Sequence, residues 1–290
     1  MTTLPATALT VVLAPRTEHP TVEGLLSDLD NLAGQQVVLL RIAQLSDDED
    51  CSLSALSDVC AADPPYAARL LSLANSAYYG RRGVVTSLTG GISVIGREAV
   101  RCLALTTALG LNGTKSSVPA DFWSRAALTA SASQLVAREI QAPSGDAFCG
   151  GLLADVGQAL LLTAAPEAYT QLMGMRCGPD LLDAELEQWG VGHAQLGAVA
   201  MSRVGLPDVL CQAIGGHHSA GLDGGTPSLT ARAVHAGKVL AHAADAGELG
   251  EDELADLIVI TDGALGPADA SRLMLQAAAG AAALAVALSA

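Results

Sequence analysis

The chain has 290 residues, half of them apolar and 16% charged; this composition excludes a disordered chain and suits one large domain or two modest ones. Its formal net charge is −15 with no basic cluster, so it lacks the Lys/Arg surface that draws proteins to nucleic acid, and the acidity reads as solubility. The apolar residues are mostly Ala, Leu and Val, and only 3% of all residues are aromatic. The strong helix propensity of Ala and Leu points to an all-α fold.

Residues 1–20 carry Pro5, Pro15 and Pro20 and read as an irregular N-terminal segment. Thr7 to Ala14 is short and no basic residue precedes it, so no signal peptide is expected. A first helix is predicted over Thr21 to Leu32 and a second over Gln35 to Leu45, where Val38, Leu39, Ile42 and Leu45 recur at helical spacing. The acidic run Ser46 to Asp50 closes the second helix as a solvated turn. It lacks the alternating ligands and glycine of a calcium loop. Ser52 to Ala61 is a third helix. Asp63-Pro64-Pro65 then gives a start signal, with Asp63 as N-cap and proline in the first turn, and this helix is predicted to end near Gly80. Ser87 caps another segment, and the apolar pattern continues to Gly110 and Gly113.

The Ser-rich stretch Lys115 to Ala120 is the best internal boundary. Beyond it, helices are predicted at about 122–140, 146–163, 166–176, 180–188, 192–203, 207–216 and 228–246, with two or three more over 250–290. The tail Leu273 to Ala290 is uncharged and long enough to raise a membrane span. It is mostly alanine, with Gln276 and Gly280 inside it, and reads as a packed or frayed terminal helix. The six cysteines, Cys51, Cys60, Cys102, Cys149, Cys177 and Cys211, form no C-x-x-C pair. They read as small core hydrophobes of a cytoplasmic protein, with neither a disulfide framework nor zinc spacing expected.

Asp63-Pro64 followed by Leu70-Leu71-Ser72-Leu73-Ala74-Asn75-Ser76-Ala77-Tyr78-Tyr79-Gly80 resembles the signature of the HDOD family, the HD-related output domains of bacteria. Three further strings fit in order: Phe148 to Leu153, Gly192 to Gly197, and Gly205-Leu206-Pro207 with Ile214 to His218. The match covers roughly residues 28–245, and Asn-Ser-Ala-Tyr-Tyr-Gly is its most specific part. The resemblance implies an all-α fold related to the HD metal-dependent phosphohydrolases. The HDOD domain would span 21–245, with an N-terminal helical lobe (21–115), an HD-like lobe (120–245) and a C-terminal helical extension (246–290). It also implies a signalling role beside cyclic-di-GMP enzymes, histidine kinases or response regulators, without implying an activity.

A catalytic HD site needs imidazoles and carboxylates converging on a divalent ion. Where the HD pattern has a histidine after Phe122-Trp123, this chain has Arg125; where it has His-Asp, this chain has Ala154-Asp155; where it has an aspartate after Val234-His235, this chain has Lys238. A cation beside a metal position repels the ion. The vestigial site is therefore expected to hold a salt bridge from Asp155 to Arg125 or Lys238, with no metal and no cofactor. His193, His217 and His218 match the extra ligands of binuclear relatives. With Arg125 and Lys238 they outline a candidate pocket for a small anionic ligand, the alternative being helix capping or hydrogen bonding in a polar pocket. His235 and His242, seven apart, read as ordinary core or surface histidines.

Asn75 and Ser76 are read as a cap or hydrogen bond fixing the next loop, the alternative being contact with a ligand or partner. The run Tyr78-Tyr79-Gly80-Arg81-Arg82-Gly83 offers either an anion-receiving surface or a packed tyrosine pair with solvated arginines. The expectation is a non-catalytic regulatory module that acts through protein–protein contact, with no nucleic-acid or membrane partner and a homodimer as one arrangement. The alternatives are a cyclic-dinucleotide or other anion sensor that clamps phosphate with Arg125 and Lys238, and a metal-dependent phosphohydrolase using Asp155 and the surviving histidines.

Overall fold

In a computed structural model of the chain, the structure describes residues 23–24, 26–27, 36–80, 83–111, 118–175, 179–218 and 226–289. Among them there is helix and no strand. Most of the first predicted helix, together with Arg81, Arg82, Lys115 and Cys177, lies outside the described residues.

The N-terminal lobe is built from α1 (Val37–Asp47), α2 (Leu53–Ala61), α3 (Pro64–Ala74), a 3-10 turn (Ala77–Tyr79), α4 (Leu88–Ile95) and α5 (Arg97–Ala108). Its starts follow capping chemistry. Ser52 Oγ accepts from the Ala55 N–H at 3.1 Å, Asp63 Oδ1 from Tyr66 at 3.0 Å, and Ser87 Oγ from Gly90 at 3.1 Å. Each such cap is worth about 1 kcal/mol. Leu39, Ile42, Leu56, Leu70, Leu73 and Ile92 are buried where these helices meet. Tyr66, also buried, donates its hydroxyl to the Val100 carbonyl at 2.7 Å and ties α3 to α5.

Two elements differ from the sequence reading here. The helix expected to reach Gly80 stops at Ala74, because Asn75 turns its amide onto the chain on both sides: Nδ2 donates to Leu71 O and Val85 O, and Oδ1 accepts the Val85 N–H at 2.9 Å. The pattern running to Gly110 is broken at Gly96, whose φ of +85° is a left-handed conformation that glycine adopts without strain.

The second lobe contains α6 (Ala120–Glu139), α7 (Ser144–Leu153), α8 (Val156–Ala164), α9 (Pro166–Met175), α10 (Pro179–Trp189), α11 (His193–Arg203), α12 (Asp208–Gly215) and α13 (Leu229–Ala246), followed by α14 (Glu251–Ile260) and α15 (Pro267–Ser289). Helix α6 is the axis, with α7, α13 and α15 all packed on it. The closest approach is at Gly237 of α13, where an added Cβ would lie 2.6 Å from the Ser133 backbone of α6.

The single helix expected over 146–163 is two helices. The chain turns at Ala154-Asp155, and Asp155 sits at φ −93°, ψ 16°. Residues on both sides are apolar and buried all round, so no polar face exists from which a break could be read. Ser144–Ala164 is also the one stretch among the described residues long and apolar enough to cross a membrane, and its apolar 18-residue window is 89% buried inside the protein.

The tail is packed rather than frayed. Leu273, Ala277, Ala281, Leu284 and Leu288 form one buried face of α15, which lies on α6 and α13 and reaches α3 and the 3-10 turn. It thus touches both lobes. The sulfurs of Cys102 on α5 and Cys149 on α7 are joined, with Cα atoms 6.0 Å apart. This corrects the reading of both as unpaired core residues. They are 47 positions apart and meet only because α5 packs on α7, which spacing alone does not reveal. Cys51, Cys60 and Cys211 are free.

Candidate functional site

A polar cluster is buried where α7 turns into α8, and five elements build it. Asp155 comes from the turn itself. Glu185 comes from α10, His193 from the first turn of α11, His217 and His218 from the end of α12, and Lys238 from α13. A close backbone crossing sets its geometry. A Cβ on Gly157 would overlap the His193 carbonyl oxygen, so only glycine lets α8 pass this near to the start of α11.

Asp155 is 6% exposed and its two oxygens have different surroundings. Oδ2 accepts from Lys238 Nζ in an ion pair. Oδ1 faces His217 Nε2 at 3.4 Å and His193 Nε2 at 3.7 Å, and no described residue gives it a hydrogen bond. Burial pushes this carboxyl up, but the Lys238 ammonium outweighs burial and holds it well below the usual carboxylate range.

His193 is held from behind. Its Nδ1 lies 2.8 Å from Glu185 Oε2, its backbone N–H donates to the same oxygen at 2.7 Å, and Tyr169 donates its hydroxyl to Oε1. The ring's Nε2 then faces inward, 3.3 Å from His217 Nε2, 2.9 Å from His218 Nε2 and 3.4 Å from Gln158 Nε2. His217 is fixed the same way, with Nδ1 2.7 Å from the Ile214 carbonyl. A carbonyl only accepts, so Nδ1 carries the proton and Nε2 turns a lone pair to the centre. Burial lowers His217, although Asp155 opposes it; burial, with His217 and His193 nearby, lowers His218 to about 2. Both rings are therefore neutral near pH 7.

The other residues of the sequence reading are placed as follows. Arg125 was expected at the Asp155 pair or the anion pocket. The ion pair it forms is with Asp121, one turn earlier on the exposed side of α6, where an i,i+4 partner is always within reach. Ala154 is buried among Ala213, Ala231 and Val234, a small apolar cluster beside the polar one. His235 is buried 3.6 Å from Asp256, and His242 is exposed 2.7 Å from Glu253. The family signature serves the lobe contact. Asp63 caps α3 with Pro64 in its first turn, and Asn75 locks the loop that contains Ser76 and Gly80. Tyr78 donates to Gln134 Oε1 at 2.8 Å and stacks edge-on with Tyr79.

Sequence reasoning missed Glu185, Tyr169 and Gln158. A signal for Glu185 was present: Leu181, Glu185 and Trp189 are spaced by four on the buried face of α10, so a charged residue sits where an apolar one belongs.

Two helical lobes, the second enclosing a buried Asp–Lys pair ringed by histidines, define a protein of the HD-related class. The chain belongs to the HDOD family, whose domain model matches residues 32–220. A curated relative from Treponema pallidum (strain Nichols), itself uncharacterized, is 25% identical over 199 residues, covering 66% of this chain and 38% of that protein. The chain thus spans well under half the length of that relative.

Among solved structures, a provisionally named phosphohydrolase from Shewanella amazonensis SB2B matches with TM-score 0.71 at 22% identity, over 90% of this chain and 97% of that one. An HDOD domain protein of unknown function from Geobacter sulfurreducens matches at 0.65 and 18%, over 92% and 98%. A provisionally named signal transduction protein from Marinobacter aquaeolei VT8 matches at 0.65 and 23%, over 85% and 58%. At these identities the likeness is one of fold.

Proposed function

We propose that this protein is a non-catalytic regulatory module of bacterial signal transduction, working in the cytoplasm through protein–protein contact. The observation that supports this most is Lys238 on Asp155. In an HD phosphohydrolase, a divalent ion held by this aspartate and neighbouring histidines activates water and polarises phosphate. Here an ammonium takes that flank of the carboxylate and Ala154 offers a methyl where a histidine would bind, while Arg125 pairs with Asp121 on the exposed side of α6 and supplies no ligand. Together, Arg125, Ala154, Asp155 and Lys238 do not fit the first ion of such a centre, and no hydrolytic step is derived through it. Family membership supports partners among cyclic-di-GMP enzymes, histidine kinases or response regulators.

The test is hydrolysis of cyclic-di-GMP and of an aryl phosphodiester by tag-free protein supplied with Mn, Fe, Zn or Mg. We expect no turnover above buffer with metal. Turnover that Asp155→Asn abolishes would overturn the reading.

A further inference from the structure

Cys102 of α5 and Cys149 of α7 are the one joined pair among the described cysteines, and both are fully buried. They belong to different lobes. The lobes are held together chiefly along α5 against α7 and where α15 reaches α3 and the 3-10 turn, so the bond crosses the seam itself. The noncovalent contacts beside it are imperfect. Arg101, one residue before Cys102, reaches across to Asp146 of α7 at 3.6 Å and back to Asp47 of α1, yet its buried Nε has no hydrogen-bond partner among the described residues. A buried donor left in that state costs free energy. Burial raises the Asp146 carboxyl in spite of the Arg101 guanidinium, so the ion pair across the seam adds little.

The seam suits both oxidation states. The Cα separation of 6.0 Å lies in the range that a disulfide bridges without backbone movement. Cys149 Sγ also lies 3.2 Å from the Glu98 carbonyl, an acceptor in place for the thiol proton once the bond is open. Competing thiols are quiet: burial pushes Cys60 up to about 12 and Cys211 up to about 11, so neither supplies a thiolate for exchange near pH 7. Helix α7 runs from the bond into the Asp155 turn, so a clasp on Cys149 also steadies the helix that leads to the buried polar cluster.

We propose that Cys102 and Cys149 form a reversible thiol–disulfide switch that clasps the two lobes when oxidised and lets α5 part from α7 when reduced. Its co-reactants are a peroxide and a dithiol. In oxidation, one thiolate attacks hydrogen peroxide, the O–O bond breaks, and water departs with the thiol's proton to leave a sulfenic acid. The second thiol attacks that sulfur, the S–O bond breaks, and a second water leaves as the disulfide forms. In reduction, a thiolate of the dithiol attacks one sulfur, the S–S bond breaks, and the other cysteine takes up a proton. The reductant's second thiol then attacks the mixed disulfide and frees the first cysteine, so two electrons pass to this chain and the reductant leaves as its own disulfide. Both sulfurs are buried, so each attack waits on a local opening of the seam. A disulfide in a reducing compartment is usually transient and redox-sensing, and in this the switch rests on the cytoplasmic regulatory reading above. Phosphodiester turnover with metal would remove the non-catalytic part of that reading and leave the switch standing.

The experiment uses the full chain, tag-free, treated with hydrogen peroxide or with dithiothreitol and then freed of reagent. Thiols are blocked in denaturant and the peptides mapped by mass, which reads the bond; hydrogen exchange reads the seam. A linked Cys102–Cys149 peptide is expected after peroxide, and its loss after dithiothreitol with the helical circular-dichroism spectrum kept. Amides of α5 and α7 should exchange about 10-fold or more faster in the reduced protein, with α14 unchanged. Cys102→Ala should exchange as the reduced parent does after either reagent, and Cys51→Ser should respond as the parent does. The comparison of the parent's own two states does not depend on how Cys102→Ala folds. Absence of the linked peptide after peroxide would overturn the proposal. So would a bond that dithiothreitol leaves closed in the folded protein, or equal exchange at the seam in the two states.

Discussion

The two lobes bury polar side chains in opposite ways. In the N-terminal lobe, most buried and half-buried polarity is spent on backbone, the exception being Arg101, which pairs with Asp47 and Asp146. Asn75 satisfies Leu71 and Val85, Tyr66 caps Val100 O, and Arg97 donates to the carbonyls of Leu45, Asp48 and Cys51. In the second lobe, Asp155, Lys238, His193, His217, His218, Glu185 and Tyr169 engage mainly one another. Side chains that satisfy loops are needed for the fold, since any backbone left buried without a partner is costly. Side chains that satisfy only each other can in principle all be replaced by apolar ones of similar shape at little cost. The second lobe therefore carries polarity that folding does not require, which is what a site looks like.

The largest expected effect breaks the second lobe's pattern from one side. Asp155→Ala leaves the Lys238 ammonium and the histidine ring without their anion, and should destabilise the metal-free protein by ~3–5 kcal/mol in urea unfolding. Replacing both partners, Asp155→Leu with Lys238→Met, should recover most of that loss. If the double variant were as unstable as the single one, the pair would be a folding element and the contrast between the lobes would fail.

The middle effect tests the first lobe. Asn75→Ala removes three hydrogen bonds to backbone and strands Val85 O and N–H in a half-buried place, for a loss of ~1–3 kcal/mol. No second substitution can rescue it, because the partners are main chain. Hydrogen exchange at the Val85 amide should accelerate first. An unchanged rate there would show that Asn75 is not what holds the loop.

The same contrast governs what could be read in the sequence. Caps at Asp63 and Ser87 and the helix periods are local, so they were legible, and so was Asn75 as the residue that fixes its loop. Asp155, Lys238 and the three histidines entered through resemblance to a family pattern. Nothing in their spacing says that α8, α11, α12 and α13 converge. Glu185 and Tyr169 lay outside that pattern, and the Cys102–Cys149 link and the break at Asp155 arise from packing between elements far apart in the chain. Arg125 was placed wrongly for a physical reason: a nearby Asp121 one helical turn away competes with a more distant buried partner, and the exposed pair keeps both side chains solvated.

The smallest effect concerns an exposed pair, where neither pattern applies. Glu253 of α14 accepts from the Gly250 N–H at 2.9 Å and lies 2.7 Å from His242 Nδ1 on α13. Partial burial raises its pKa, but the His242 and Gly250 hydrogen bonds outweigh this and lower it from the ordinary 4.5. A carboxyl lowered in the folded state adds stability above its ordinary pKa and loses it as pH falls through the lowered value. Glu253→Gln should therefore cost less than ~0.5 kcal/mol at pH 7, the usual worth of a solvated pair. The difference from the parent should vanish in acid, well below pH 4.5. Thermal unfolding of both proteins from pH 7 downward reads it. A cost that persisted in acid would mean that the side chain acts by packing on the start of α14 rather than by charge. A cost as large as that of Asp155→Ala would mean that burial does not separate the two kinds of pair, and the comparison between solvated and enclosed charges would have to be drawn elsewhere.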